Sequence, residues 1–131
     1  RFGSNLARDR APRTREEPQP MPSNTYELMR QAILTRQPVI CRYKGQTREV
    51  CPHVLGLTGK HEMVQVWQYA GGTNTKGGLP PGGEWRCMHV GEITMAALKP
   101  GPWHTARDHR WDQTCVADVD VQAMKPPREN P

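Results

Sequence analysis

The stretch PVICRYKGQTREVCPHVLGL, residues 38–57, decides how this chain is read. Val39, Cys41 and Tyr43 fall on alternate positions, which places them on one face of a strand, and Lys44-Gly45-Gln46 has the chemistry of a turn. Thr47 to Leu57 then resumes an extended pattern. Two strands joined so closely form an antiparallel hairpin, so the fold grows from local β pairing.

Working upstream, Gln37-Pro38 is a stop, because proline lacks an amide proton and disfavours the helical region for its predecessor. Before that stop Leu28, Met29, Ala32 and Ile33 recur at helical spacing behind Asn24 and Glu27, a pair that resembles a capping box with Asn24 as the cap. One amphipathic helix over about 25–36 is predicted. Downstream, Thr58-Gly59-Lys60 turns the chain into a third strand, Glu62 to Tyr69, whose Val64, Val66 and Trp67 suit a pleated surface. Residues 70–83 contain six glycines and two prolines, a density that no strand or helix interior tolerates, so they are expected to form a long exposed loop. Trp85 to Val90 and Ile93 to Leu98 read as two further strands separated by Gly91-Glu92. After an aperiodic stretch, Cys115 to Val121 offers a last one. These elements predict a mainly β domain with one N-terminal helix. Closure disposes of edge strands in so small a sheet, so a small antiparallel barrel is expected.

The whole chain has 131 residues, enough for one domain, and is 35% hydrophobic with 12 Gly and 13 Pro, which implies a small core and much loop. Residues 1–20 hold five of the 18 Lys and Arg, with only Phe2 and Leu6 as sizeable apolar groups. They are predicted to be a disordered tail or an upstream remnant, with residues 125–131 a disordered end and 21–124 a single domain. The longest apolar run, Met95 to Leu98, is far short of a membrane span, and the first twenty residues lack the apolar stretch of a secretory signal, so a cytoplasmic location is expected. Cysteines at 41, 51, 87 and 115 are sparse for a disulfide scaffold, and reduced thiols are the expectation. A net charge of +5 favours acidic partners.

Several chemistries are excluded by what is missing. Ser4 and Ser23 are the two serines, and neither lies in the Gly-x-Ser-x-Gly setting of a hydrolase nucleophile. The glycine-rich run does not end in Gly-Lys-Ser/Thr, and no helical pattern follows it to hold a phosphate. His61-Glu62 begins like a metalloprotease motif, but Gln65 occupies the second ligand position on what reads as a strand. No complete catalytic constellation emerges, and a non-enzymatic module is expected.

Two binding chemistries remain. Cys51 with His53, and Cys87 with His89, are i, i+2 pairs whose side chains share one strand face, and thiolate plus imidazole suits zinc. The plain alternative is that they pack the core, and redox chemistry of the thiols is a third reading. His104, His109 and Cys115 form a looser group in irregular chain, where exposed loop residues are the simpler reading. Arg42, Lys44, Arg48 and Arg86 lie on or beside strands that also carry Tyr43, Trp67 and Trp85, an interleaving that suits bases stacked on rings with cations on phosphates. The plain alternative is that the indoles fill the core and the arginines form a solvated face. Arg107, Arg110, Trp103 and Trp111 repeat the mixture nearer the C-terminus.

In order, Tyr43, Arg48 with Pro52, Met63 to Trp67, the Gly/Pro loop, Arg86 with Met88 and Val90, and Ile93 resemble the WYL-domain family over about Tyr26 to Leu98. The triplet that names the family is replaced by Glu62-Met63-Val64, and Glu92 stands where such proteins often carry an arginine. The segments Cys51-Pro52-His53, Trp85-Arg86-Cys87 and Pro102-Trp103-His104 are similar to those of small bacterial proteins. The resemblance implies an SH3-like or Sm-like barrel serving as a ligand-sensing module. With the interleaved residues above, it points to recognition of single-stranded nucleic acid or a nucleotide through Arg42, Tyr43, Arg48, Trp67, Trp85 and Arg86. A zinc-stabilised protein-interaction domain using Cys51, His53, Cys87 and His89 is the competing expectation.

Overall fold

A computed structural model describes residues 22–106 and 113–123. The expected tail and C-terminal end, and His109, Arg107, Arg110 and Trp111, lie outside the described residues. Helix α1 spans Asn24–Thr35, one residue ahead of the predicted start. Its cap is Ser23 rather than Asn24: the Tyr26 amide donates to Ser23 Oγ at 3.1 Å. The helix ends where Arg36 turns left-handed (φ 56°), just ahead of Pro38, which cannot continue a helix.

Strands β1 (Val39–Tyr43), β2 (Gln46–Thr58), β3 (His61–Gly71) and β4 (Glu84–His89) form an antiparallel meander. A single 3₁₀ turn, Val90–Glu92, leads into β5 (Thr94–Leu98), which returns to pair with β1, and β6 (Asp118–Gln122) pairs with β2. Lys44 and Gly45 both have positive φ (50° and 79°), the backbone of a two-residue turn whose twist matches that of the strands it joins. The order along the sheet is β4-β3-β2-β1-β5, with β6 off this path. The expectation of a mainly β domain behind one helix therefore holds, but the sheet does not close into a barrel. Its end strands, β4 and β5, are not paired with each other.

The long β2 organises the molecule. Its first part, Gln46 to Val50, pairs with β1, its later part, Val54 to Leu57, pairs with β6, and β3 runs along its other edge. Pro52 sits in the gap between these two partners, where its missing N–H leaves no ladder bond unmade. Beside it the register jumps from Pro52↔Val66 to Val54↔Gln65, so His53 is the extra residue of a bulge. The bulge resets the alternation: Leu55 joins the main core while its neighbour Val54 joins a smaller cluster with Met63 and Val116. β6 can approach because residue 56 is glycine; a Cβ there would run into the Asp118 carbonyl.

One sheet face is covered by α1. Tyr26, Met29, Ala32 and Ile33 pack on Val39, Cys41, Val50, Leu55, Val64, Val66 and Met88, the i, i+3, i+6, i+7 stripe of a helix meeting the alternate positions of strands. The opposite face is covered by irregular chain: Thr105 and Trp103, which also touches the main core and Arg36, reach the buried His53, and the 113–117 turn closes over Val54 and Met63.

The expectation of four reduced thiols fails. Cys87 and Cys115 form a disulfide across 28 residues, while Cys41 and Cys51 are buried free thiols. Spacing could not show this, because the partners meet only when the aperiodic C-terminal segment folds back on β4. No described helix is long and apolar enough to cross a membrane.

Candidate functional site

The six residues expected to share one surface divide between two faces. β4 pairs Arg86 with Val66 and Trp85 with Trp67, and neighbouring residues of a strand point to opposite faces. Tyr43, Arg48 and Arg86 thus lie on the helix-covered side, at its polar end. Trp67 and Trp85 meet each other edge-on on the other side, ring centroids 5.1 Å apart. Arg42 is exposed and clasps its own hairpin, donating to Gly45 O (2.9 Å) and Thr47 Oγ1 (3.3 Å).

The polar end of the core has an unusual charge balance. Arg48 is only 4% exposed. Its Nε donates to Tyr43 O (3.2 Å), its Nη1 donates to Gln68 Oε1 (3.3 Å), and its guanidinium lies 5.3 Å from the Tyr43 ring centre. All of these partners are neutral. Burial lowers the Arg48 pKa from its ordinary value, and the positive charge of Arg86 lowers it further. Arg86 pairs with Glu84 (3.1 Å) and donates from Nη2 to Thr73 Oγ1 (2.7 Å), yet its Nε is buried with no hydrogen-bond partner. Of the two guanidinium groups only that of Arg86 has a carboxylate partner, and one of its donors is unspent. Such an arrangement costs stability unless an anion completes it.

Gln68 and Thr73 were not among the expected site residues. Gln68 had a signal: it continues the Val64, Val66 phase of β3 into the core, where a polar side chain has to be matched by partners. It is fully buried and donates from Nε2 to the carbonyls of Ala70 and Gly72, which aims its oxygen at Arg48. Thr73 had none, being one polar residue in a loop.

The zinc set does not assemble. Cys87 is spent in the disulfide. Cys51 Sγ accepts the His104 amide at 3.2 Å, and burial pushes its thiol up to about 12. His53 Nδ1 donates to Cys51 O (2.7 Å), so Nε2 is the acceptor facing the Thr105 hydroxyl (2.9 Å). Burial pushes this imidazole down to about 4, and it lies against Trp85 and Trp103 with both ring centroids 4.9 Å away. His89 instead meets His61 edge-on. Among the described residues no three His, Cys, Asp or Glu side chains are grouped to hold a metal ion. The packing alternative describes Cys51 and His53. Cys87 is exposed and disulfide-bonded, which neither the zinc nor the packing reading describes.

No protein-family model matches this chain, and neither a curated protein nor a solved structure does.

Proposed function

We propose that the chain is a non-enzymatic binding module of WYL-like descent that takes nucleic acid or a nucleotide by a phosphate group held between Arg48 and Arg86. The observation that carries this reading is the buried Arg48 guanidinium with only neutral partners, beside the unpaired Nε of Arg86. A phosphate oxygen between two guanidinium groups forms charge-assisted bonds and removes their mutual repulsion. The ring of Tyr43 backs the site. Trp67 and Trp85, on the other face, take no part, so the ligand is met at the end of the sheet rather than along a basic and aromatic surface. The meander of β2 to β4, the single 3₁₀ turn and the return of β5 to β1 support kinship with SH3-like or Sm-like barrels, in an open form. A cytoplasmic site of action belongs to the same proposal.

The test compares Arg48→Leu with the parent protein. Affinity for a fluorescent single-stranded oligonucleotide and for a nucleoside monophosphate should fall by about 1–3 kcal/mol, with a flatter salt dependence for the oligonucleotide. The unliganded variant should be no less stable, because a poorly paired buried charge has been replaced by an apolar group. Absence of binding by the parent protein, or a stability loss of several kcal/mol in Arg48→Leu, overturns the proposal.

A further inference from the structure

The disulfide makes no contact that the proposed phosphate site requires, although Arg86 of that site borders the same groove. Cys87 stands on β4, at the end of the sheet, and is exposed, whereas Cys115 is half-buried in the turn ahead of β6. Both line an open groove of about 570 Å³, together with Gln65, Trp85, Arg86, Gln113 and Thr114. The free thiols are placed quite differently. Cys41 and Cys51 are buried, and burial pushes them up to about 11 and about 12. The chain thus carries one solvent-facing cystine and two shielded thiols.

What the bond holds is a thin cover. Cys115 packs on Val54, Met63 and Val116, the smaller of the two clusters. The turn is clipped by Thr58 Oγ1, which donates to Cys115 O (2.8 Å) and accepts from the Ala117 amide (3.1 Å). β6 beyond it is mostly exposed, and its ladder to β2 slips between Leu55 and Gly56. Val116 and Ala123 are buried, and Asp120 is hydrogen-bonded to Tyr26 and Arg30. The rest of the segment is largely exposed, and thinly covered segments open first in a native protein.

We propose that Cys87–Cys115 is a thiol–disulfide exchange site, a reversible latch that a dithiol reductant opens to release residues 113–123 from the sheet. A thiolate of the dithiol enters the groove and attacks Cys87 Sγ. The S–S bond breaks, and Cys115 leaves as a thiolate that takes up a proton. The second thiol of the reductant then attacks the mixed disulfide and frees Cys87. The cystine has gained two electrons and two protons, and the dithiol has become a disulfide. Exposed cystines belong to the reducible class, because an attacking thiolate can reach their sulfur.

The experiment treats the intact native protein with dithiothreitol, traps thiols with iodoacetamide and maps them by peptide mass spectrometry. Label is expected on Cys87 and Cys115 and not on Cys41 or Cys51. Amide exchange in residues 113–123 should accelerate by about tenfold or more on reduction and recover with oxidised glutathione. Cys87→Ser should show the fast exchange without reductant. The proposal is overturned if labelling requires denaturant, if all four cysteines label together, if exchange in 113–123 is unchanged by reduction, or if four free thiols persist after oxidised glutathione.

Discussion

The two faces of the sheet are built by different rules. Under α1, aliphatic side chains at periodic positions meet a helical stripe, and the polar exceptions, Arg48 and Gln68, gather at one end. On the opposite face, a bulge, three indoles, a buried imidazole and a disulfide are held largely by irregular chain. The first face gains its stability from area, the second from particular bonds. The same perturbation should therefore have different consequences on the two sides.

The sharpest comparison is between neighbours. Leu55 and Val54 are both fully buried but join different clusters. Leu55→Ala opens a cavity in the main core and should cost about 2–5 kcal/mol by urea unfolding, whereas Val54→Ala should cost about 1–2 kcal/mol. A larger loss at Val54 would mean that the smaller cluster under the 113–117 turn, and not the helix-covered core, holds the domain.

Acid should act on the second face first. His53 is pushed down to about 4 by burial, while in the unfolded chain it titrates near its ordinary value of about 6.5. Between these values the unfolded state binds the extra proton, so folding stability is whole above about pH 6.5, declines as the pH falls, and levels off near the folded value, a loss of up to about 3 kcal/mol. Asp120 adds a separate decline at lower pH. The Tyr26 hydroxyl and then Arg30 hold its carboxyl below the usual range, so that contribution disappears as the pH drops through the folded value. Urea midpoints from pH 7 to 4 on the parent and on His53→Gln should differ in slope across this window. Identical slopes would place the acid sensitivity elsewhere.

The contrast also separates what was legible in the sequence from what was not. Strand and helix positions under α1 follow from periodicity, because an alternate or 3.6-residue apolar pattern has one way to bury itself. Gln37-Pro38, Lys44-Gly45 and the glycine-rich loop mark their breaks by local backbone chemistry. His53 was legible as a packing residue but not as the pivot of a bulge, since the bulge exists only relative to the register of β3. The C-terminal cover carries no period, so the reach of Trp103 and Thr105 to His53 and of Cys115 to Cys87 left no trace in spacing. The candidate site suffered similarly. Counting cations and rings along strands groups Arg86 with Trp85, although adjacent strand residues face opposite ways, and it does not show that Arg48 is buried.

The smallest expected effect lies at the joint between helix and sheet, and it separates local from long-range capping. Asn24 and Glu27 fit the spacing of a capping box, but Glu27 pairs with Arg30 (3.2 Å) instead. Ser23 is the cap because a residue 39 positions away completes it: its hydroxyl donates to Glu62 Oε1 (2.6 Å) and its amide donates to Oε2 (3.1 Å). The carboxylate thereby fixes the hydroxyl so that its lone pair faces the Tyr26 amide, and it places negative charge by the positive end of the helix dipole. Ser23→Ala should cost about 1 kcal/mol, and Glu62→Gln somewhat less, because the exposed carboxylate is screened by solvent. The two losses should not add in the double variant, since removal of Ser23 Oγ already deprives Glu62 of one of its bonds. Asn24→Ala should leave the unfolding midpoint nearly unchanged. Should Asn24→Ala prove the more damaging, the helix start is set by the local sequence after all, and Glu62 is a bystander.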